Sequence, residues 1–214
     1  MVLNFVISAI VSYLLGSLNF AIIVSHRVNN DDIRNYGSHN AGLTNMLRTY
    51  GKNEAILTCV GDMLKGIISV LGTYFLFELT GYEGFGRFPM VFSMFFVMVG
   101  HVFPIFYHFK GGKGVLTSAA CLLIIDWRVF VTIISVFLII LAISKYVSLA
   151  SCIATVTAVV SRPLYDYLFD GWHDSVVLET ALLAVIGATI IIKHHTNIKR
   201  LINGTENKIS VKKG

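Results

Sequence analysis

Along its length the chain alternates long apolar runs with short polar ones. Apolar stretches at 3–25, 54–78, 88–107, 114–125, 129–144, 147–168 and 176–192 each read as a helix, because a bilayer core of about 30 Å takes roughly 20 apolar helical residues. The pattern predicts an all-α, polytopic integral membrane protein with about seven transmembrane helices. The fourth and fifth runs are short for a full crossing, which leaves a range of five to seven. Seven is the reading taken, because Asp126-Trp127-Arg128 looks like a polar turn with an interfacial aromatic between them. The first run lacks a basic leader and is too long and apolar for a cleaved signal peptide, so it reads as a helix that stays. No polar stretch suggests a soluble domain, and residues 1–214 are expected to form a single membrane-embedded domain.

Seven spans put the chain ends on opposite sides, and the basic residues then assign the sides. Thirteen Lys and Arg, Lys212 and Lys213 included, fall on one side; Arg87, Arg128 and Arg162 fall on the other, which also collects Glu78, Glu83, Asp166, Asp170 and Asp174. The amino terminus is therefore expected outside and the carboxyl terminus in the cytoplasm. Composition agrees with a membrane protein: 55% of the 214 residues are hydrophobic and 14% charged, with a mean hydropathy of +0.73. Much of the net charge of +5 is accounted for by topology, together with attraction to anionic headgroups. Cys59, Cys121 and Cys152 stand far apart in apolar runs, so neither a disulfide framework nor a metal site is expected. Nothing suggests a nucleic-acid partner.

The polar segments richest in Gly, Asn, Ser, Thr and basic residues all fall on the expected cytoplasmic side: 32–51 (DIRNYGSHNAGLTNMLRTYG), 109–114 (FKGGKG), 144–151 and 193–206. Plain connecting loops do not need that composition, whereas a site assembled from four distant segments does. The first offers Ser38, Asn40, Thr44 and Asn45 as neutral partners, Gly37 and Gly42 as points of close backbone approach, and Arg34 and Arg48 as charges. FKGGKG adds Lys110, Gly111, Gly112 and Lys113. Each precedes an expected helix, where unpaired N–H groups favour an anion, so both segments suggest phosphate. A Walker A loop is excluded, since Gly114 follows Lys113 and Tyr107 stands where the first glycine belongs. No GxSxG elbow or kinase signature occurs. His101 and His194 are candidate bases or phosphate partners, and Asp62 and Lys65 lie inside the second span, where charges are costly. His26 to Asp31 matches an HxxxxD acyltransferase pattern, but the companion motifs are absent and the match reads as coincidence.

At this point the chain resembles the PlsY-type acyl-phosphate:glycerol-3-phosphate acyltransferases of bacterial membranes. The blocks that carry the resemblance are YLLGSLNFA at 13–21, DIRNYGSHNAGLTNMLRTYG at 32–51, GDMLKG at 61–66, GHVFPIFYHFKGGKGV at 100–115, KYVSLAS at 145–151 and HTNIKRLINGTE at 195–206, in order and across nearly the whole chain. The resemblance implies seven membrane helices, an active site at the cytoplasmic face of the cell membrane, and no cofactor, metal or CoA. It implies transfer of a fatty acyl group from acyl phosphate to the 1-hydroxyl of sn-glycerol 3-phosphate, giving lysophosphatidic acid and inorganic phosphate, the first acylation of phospholipid synthesis. The partners implied are these two substrates, the lipid bilayer and the enzyme that forms acyl phosphate. By position, Ser38, Asn40, Gly42, Thr44 and Asn45 would meet acyl phosphate, Arg48 and Lys113 would supply charge, and Ser151, His194 and Asn197 would hold glycerol 3-phosphate.

Four positions depart from the family pattern: His39 replaces Gly and Leu43 replaces Ala in SGNxGATN, and Lys193 and His195 replace the two arginines of RHRxNIxRL. His39 bears on how closely the loop can wrap a phosphate, since a Cβ restricts positive φ, and Lys193 keeps charge without the bidentate fork. Attack on an activated mixed anhydride needs positioning, neutralisation of two phosphates and a proton acceptor. Substrate phosphate and His194 are the two candidates for that acceptor, with no acyl-enzyme expected. The aromatics of VFPIFYHF are candidate walls for the acyl chain. The reading from a different class is a small-anion or phosphate transporter, which broken Gly- and Asn-rich helices with cations would also suit.

Overall fold

A computed structural model describes residues 1–81, 84–172 and 174–209; Glu83, Lys212 and Lys213 lie outside the described residues. Within these the fold is all-helical: α1 (Val2–Ser17), α2 (Phe20–Asn29), α3 (Leu43–Thr49), α4 (Lys52–Leu79), α5 (Phe88–Val102), α6 (Val115–Ile125), α7 (Trp127–Ser144), α8 (Val147–Tyr165), α9 (Ser175–Lys193) and α10 (His195–Ile202). Six segments are long and apolar enough to cross a membrane: Val2–Asn29, Lys52–Leu79, Phe88–Tyr107, Trp127–Ser144, Val147–Asp170 and Ser175–Lys193.

The expected single helix over 3–25 is broken at Leu18–Asn19. The Asn19 side chain accepts from the N–H of Ile22 at 3.2 Å and so starts α2 as its N-cap. The carbonyls of Gly16 and Leu18, left without helical partners, each accept from the Lys65 ammonium at 3.0 Å. The fifth run is longer than its apolar core suggested, because Asp126 caps α7 by accepting from the N–H of Arg128 at 3.1 Å, which lets the helix begin at Trp127.

The fourth run forms α6 at its expected place and is as short as its apolar run indicated. Helix α6 has 11 residues and rises about 16 Å, well short of a bilayer core. It is short because FKGGKG turns back into the bundle before the helix begins: the N–H of Gly111 donates to Val102 O at 3.2 Å and that of Gly112 to His101 O at 3.1 Å. The reversal passes through His108 (φ 55°) and Phe109 (φ 57°), two successive left-handed residues. Gly114 then stands against Met98, four residues before the end of α5, so α6 begins inside the bundle.

Packing is inverted relative to a soluble bundle. The inner stripe of α1 is Asn4, Ser8, Ser12 and Gly16, all buried, while Val2, Leu3, Ile10 and Val11 are exposed. Lipid tails are as apolar as leucine, so small residues that let backbones approach hold such helices together. A Cβ on Gly16 would lie 2.2 Å from Val97 O and one on Gly100 2.2 Å from Tyr13 O, so α1 and α5 touch through their backbones. Ser93 links this pair to α4, with Ser12 Oγ at 2.9 Å and Ser69 Oγ at 2.8 Å.

The ends of the bundle differ in chemistry. At one, Arg87 reaches Asp126 (3.3 Å) and Asp170 (3.0 Å), Arg128 reaches the same two carboxylates (2.8 and 2.6 Å), and fully buried Arg162 pairs with Glu179 at 2.9 Å and with Asp166. The three basic residues that the charge count set apart are thus locked to acidic ones. Arg162 and Glu179 lie inside α8 and α9, intramembrane charges whose role as a pair the linear pattern did not disclose. All four segments expected to form a site meet at the opposite end.

Candidate active site

The loop before α3 is shaped by Asn45. Its Oδ1 accepts from the N–H of Ser38 at 3.0 Å, and its amide faces the carbonyls of Tyr36 (2.9 Å), Asn40 (3.1 Å) and Ile33 (3.2 Å). A Cβ on Gly37 (φ 58°) would lie 2.3 Å from that Oδ1, so glycine is required there. His39 does take up a left-handed φ of 56°, a conformation that costs a non-glycine residue about 1–2 kcal/mol. Its Nδ1–H donates to Arg34 O at 2.9 Å, which offsets part of that cost. The loop still closes.

Arg34 ties this loop to the next. Its guanidinium holds Asp32 at 2.6 Å and donates to the carbonyls of Tyr107 (3.0 Å) and Lys110 (3.1 Å). The glycines of FKGGKG serve close packing: a Cβ on Gly111 would lie 2.0 Å from His101 O, and one on Gly112 2.1 Å from His101 Nε2.

Between the loops and α10 opens a cleft of about 720 Å³. Ser38, Asn40, Lys110, Gly111, Lys113 and Asn197 line it, as do Arg34, His39, Lys193, His195 and Arg200. Five Lys and Arg face it against a single acid, Asp32, a field suited to phosphate dianions. Lys193 also stands 5.1 Å over the Phe103 ring, so the apolar wall partly fixes its charge.

Lys113 donates to Asn197 Oδ1. Asn197 in turn donates to Glu206 Oε1 at 2.7 Å, which also accepts from Ser148 Oγ at 2.9 Å, while Arg200 Nε meets Glu206 Oε2 at 2.6 Å. Burial, with Arg200 and Arg48 adding like charge, pushes Lys113 down to about 8, and Glu206 offsets only part of this. Burial would raise the Glu206 carboxyl, yet the bonds from Asn197, Arg200 and Ser148 hold it below the ordinary range. His194 is buried behind the cleft, and its Nδ1 lies 2.8 Å from Ile190 O. A carbonyl only accepts, so Nδ1 carries the proton and Nε2 keeps its lone pair. Burial and then the Lys113 charge bring His194 down to about 4, so it is neutral at physiological pH.

Residues 6–204 match the family described as Glycerol-3-phosphate acyltransferase. The chain belongs to the glycerol-3-phosphate acyltransferase family. It is 38% identical to a glycerol-3-phosphate acyltransferase of Clostridioides difficile (strain 630), over 99% of this chain and 98% of that one. It is likewise 38% identical to one of Paraburkholderia phytofirmans, over 97% and 92%. Two crystal structures of PlsY (YgiH), an integral membrane glycerol 3-phosphate acyltransferase, are similar. The glycerol 3-phosphate form has a TM-score of 0.81 at 33% identity, covering 96% of both chains; the lysophosphatidic acid form has 0.78 at 32%, covering 96% and 95%. The PlsY-type resemblance is thereby shown, and the protein is an acyltransferase of the membrane. The transporter reading falls with it; the residues that line the cleft also lie at one end of the bundle, away from the midplane where transporter sites lie.

For this family member, the other expected site residues lie around the cleft rather than on its wall. Arg48 donates to Asn207 O at 3.1 Å and so pins α3 to the tail. Gly42 caps α3, Thr44 sits in its first turn, and Asn45 is spent inside the loop. Ser151 is buried on α8. Gly112 packs on His101. The HxxxxD match dissolves: His26 faces Asp32 at 3.6 Å, while Asp31 accepts from the Tyr36 hydroxyl. Glu206 and Arg34 went unrecognised as organisers of the site. The GTE that ends the last block of the family resemblance was the available signal for Glu206; for Arg34, the sequence carried only its charge.

Proposed function

We propose that the acyl donor is acyl phosphate and that a fatty acyl group passes directly from it to the 1-hydroxyl of glycerol 3-phosphate, giving lysophosphatidic acid and inorganic phosphate. The cleft faces the cytoplasm in this reading, with the amino terminus outside and the membrane that of the bacterial cell. The observation that carries it is one cleft lined by five cations, a desolvated Lys113 among them, a field suited to two phosphate groups side by side.

The glycerol hydroxyl oxygen attacks the acyl carbonyl carbon, the bond from that carbon to the phosphate oxygen breaks, and phosphate leaves with the electron pair. Lys113 and its cationic neighbours neutralise the charge that builds on the leaving phosphate. With its proton on Nδ1, His194 would offer the Nε2 lone pair to a substrate hydroxyl that reaches past the cleft wall. At about 4 it is a weak base, which supports substrate phosphate as the proton acceptor. Its Nδ1 faces a carbonyl rather than a carboxylate, so it is not set up to activate a serine as a triad histidine is. That supports transfer without an acyl-enzyme.

For the acyl chain, an open groove of about 610 Å³ runs along Cys152, Val156, Val160 and Leu164 of α8, with Ile191 at its head beside the cleft and Tyr165 at its foot. From Cys152 to Leu164 it rises about 18 Å, comparable to the roughly 15 Å of one leaflet of a bilayer core. The VFPIFYHF aromatics do not line it; Phe109 lines the polar cleft. The enzyme that forms acyl phosphate would deliver its product to this face.

Purified protein supplied with lipid and palmitoyl phosphate is expected to release inorganic phosphate only when glycerol 3-phosphate is present. Palmitoyl-CoA in place of palmitoyl phosphate is expected to give no lysophosphatidic acid; efficient use of the thioester would overturn the donor assignment. His194→Gln is expected to keep turnover at saturating substrate within about tenfold while KM rises, as for a lost binding contact. Near-complete loss of turnover with binding intact would instead make His194 the base.

A further inference from the structure

Asp62, Lys65 and His101 form a buried cluster one layer beneath the cleft, with exposures of 1%, 3% and 4%. None of them lines the cleft. The Lys65 ammonium lies 2.8 Å from Asp62 Oδ1 and 2.9 Å from His101 Nδ1, and it also serves the orphan carbonyls of Gly16 and Leu18 at the break in the first span. Four acceptor atoms thus surround an ammonium with three N–H donors, and His101 Nδ1 also stands 3.6 Å from Asp62 Oδ1, so the Nδ1 edge of the ring is held inside the cluster. The Nε2 edge points at FKGGKG.

Three segments converge there. The point where a Cβ on Gly112 would stand is 2.1 Å from His101 Nε2 and 2.6 Å from Ala41 O, so Gly112 packs against both the His101 ring and the backbone of Ala41. Gly112 directly precedes Lys113, and Ala41 directly follows Asn40. Ala41 O is reached from the other side by Asn19 Nδ2 at 3.4 Å, and Asn19 is the residue at the helix break that Lys65 stabilises. Asp62 closes the circuit by accepting from the N–H of Phe20 at 3.4 Å.

We propose that this cluster is the gauge of the phosphate site. Lys65 and Asp62 orient His101, and His101 with Asn19 sets the distance between the loop bearing Ser38 and Asn40 and the loop bearing Lys113. His101 and Asn19 are then positioning residues, acting on substrate only through the two loops. The helix break has a purpose in this scheme: it frees the carbonyls that hold Lys65 and presents Asn19 to Ala41. An apolar residue at position 65 would leave those carbonyls without a donor.

The inference rests on the cleft being where glycerol 3-phosphate is acylated, and the wild-type protein in the same assay tests that separately. Two variants test the gauge. His101→Asn keeps an acceptor for Lys65 and removes the ring from Gly112. Asn19→Ser keeps a capping oxygen for Ile22 and removes the donor to Ala41. With shifts of well under an ångström at the reacting groups, each is expected to raise the KM for glycerol 3-phosphate about tenfold, with less than additive effects when combined. A purely structural role would lower Tm and the active fraction, hence apparent kcat, while leaving the KM of the surviving molecules at the wild-type value. An unchanged KM in either folded variant overturns the proposal. Should one variant fail to fold, the KM of the other decides. Absence of acceptor-dependent turnover in the wild type would overturn both the reading of the cleft and the gauge.

Discussion

Lys113→Ala is expected to lower glycerol 3-phosphate-dependent phosphate release by about a hundred- to a thousandfold, the usual effect of deleting one preorganised charge from a desolvated transition-state site. Asn197, itself anchored on Glu206, holds the ammonium, so few alternative positions are open to it. Lys113 also sets a pH limit. Burial holds it at about 8, so its charged fraction falls as pH rises through that value, whereas an ordinary lysine stays charged to about 10. The kcat/KM for glycerol 3-phosphate is therefore expected to fall about tenfold per pH unit above 8. Lys113→Arg, which cannot lose its proton in this range, is expected to move that limb upward even if its activity is lower. A limb that stays at pH 8 in the arginine variant would detach it from Lys113. His194, already neutral above about 4, is expected to contribute no limb between pH 5 and 8.

Arg162→Leu is expected to be the most damaging single change to stability. Arg162, Asp166 and Glu179 are each fully buried, and Arg162 pairs with both acids. Removing one partner of a buried pair leaves an uncompensated charge, at a cost of about 3–5 kcal/mol. Thermal unfolding in detergent should show a large drop in Tm. Because this network lies at the end of the bundle remote from the cleft, protein that remains folded should keep the wild-type KM. A changed KM with an unchanged Tm would mean that the two ends are coupled.

Much of the site was legible in sequence for a simple reason. Glycine and asparagine add nothing to anchoring at a plain membrane edge, yet they are dense at 32–51 and 109–114, and six of the positions singled out, Ser38, Asn40, Lys110, Gly111, Lys113 and Asn197, do line one cleft. The roles were less legible than the positions. Asn45 and the Gly-Gly pair suggested ligand contact and flexibility, but Asn45 turns out to be the internal clamp of its loop and the glycines are needed because His101 lies against them. A residue's partner across the chain is invisible to spacing, and these partners lie across turns or on other helices.

The same division runs through the whole protein. Hydropathy and the number of apolar runs by themselves determined an all-helical membrane protein, because a chain in lipid must satisfy its backbone internally and the helix does so within each segment. Side-chain chemistry along the chain likewise marked out segments that line the cleft. Only the tertiary structure decided where spans break and how deep loops reach: the kink at Asn19 and the re-entry of FKGGKG. Those features are held by hydrogen bonds from Lys65 to the carbonyls of Gly16 and Leu18, from Asn19 to Ala41 O and from the N–H of Gly112 to His101 O, contacts made only once the helices have packed.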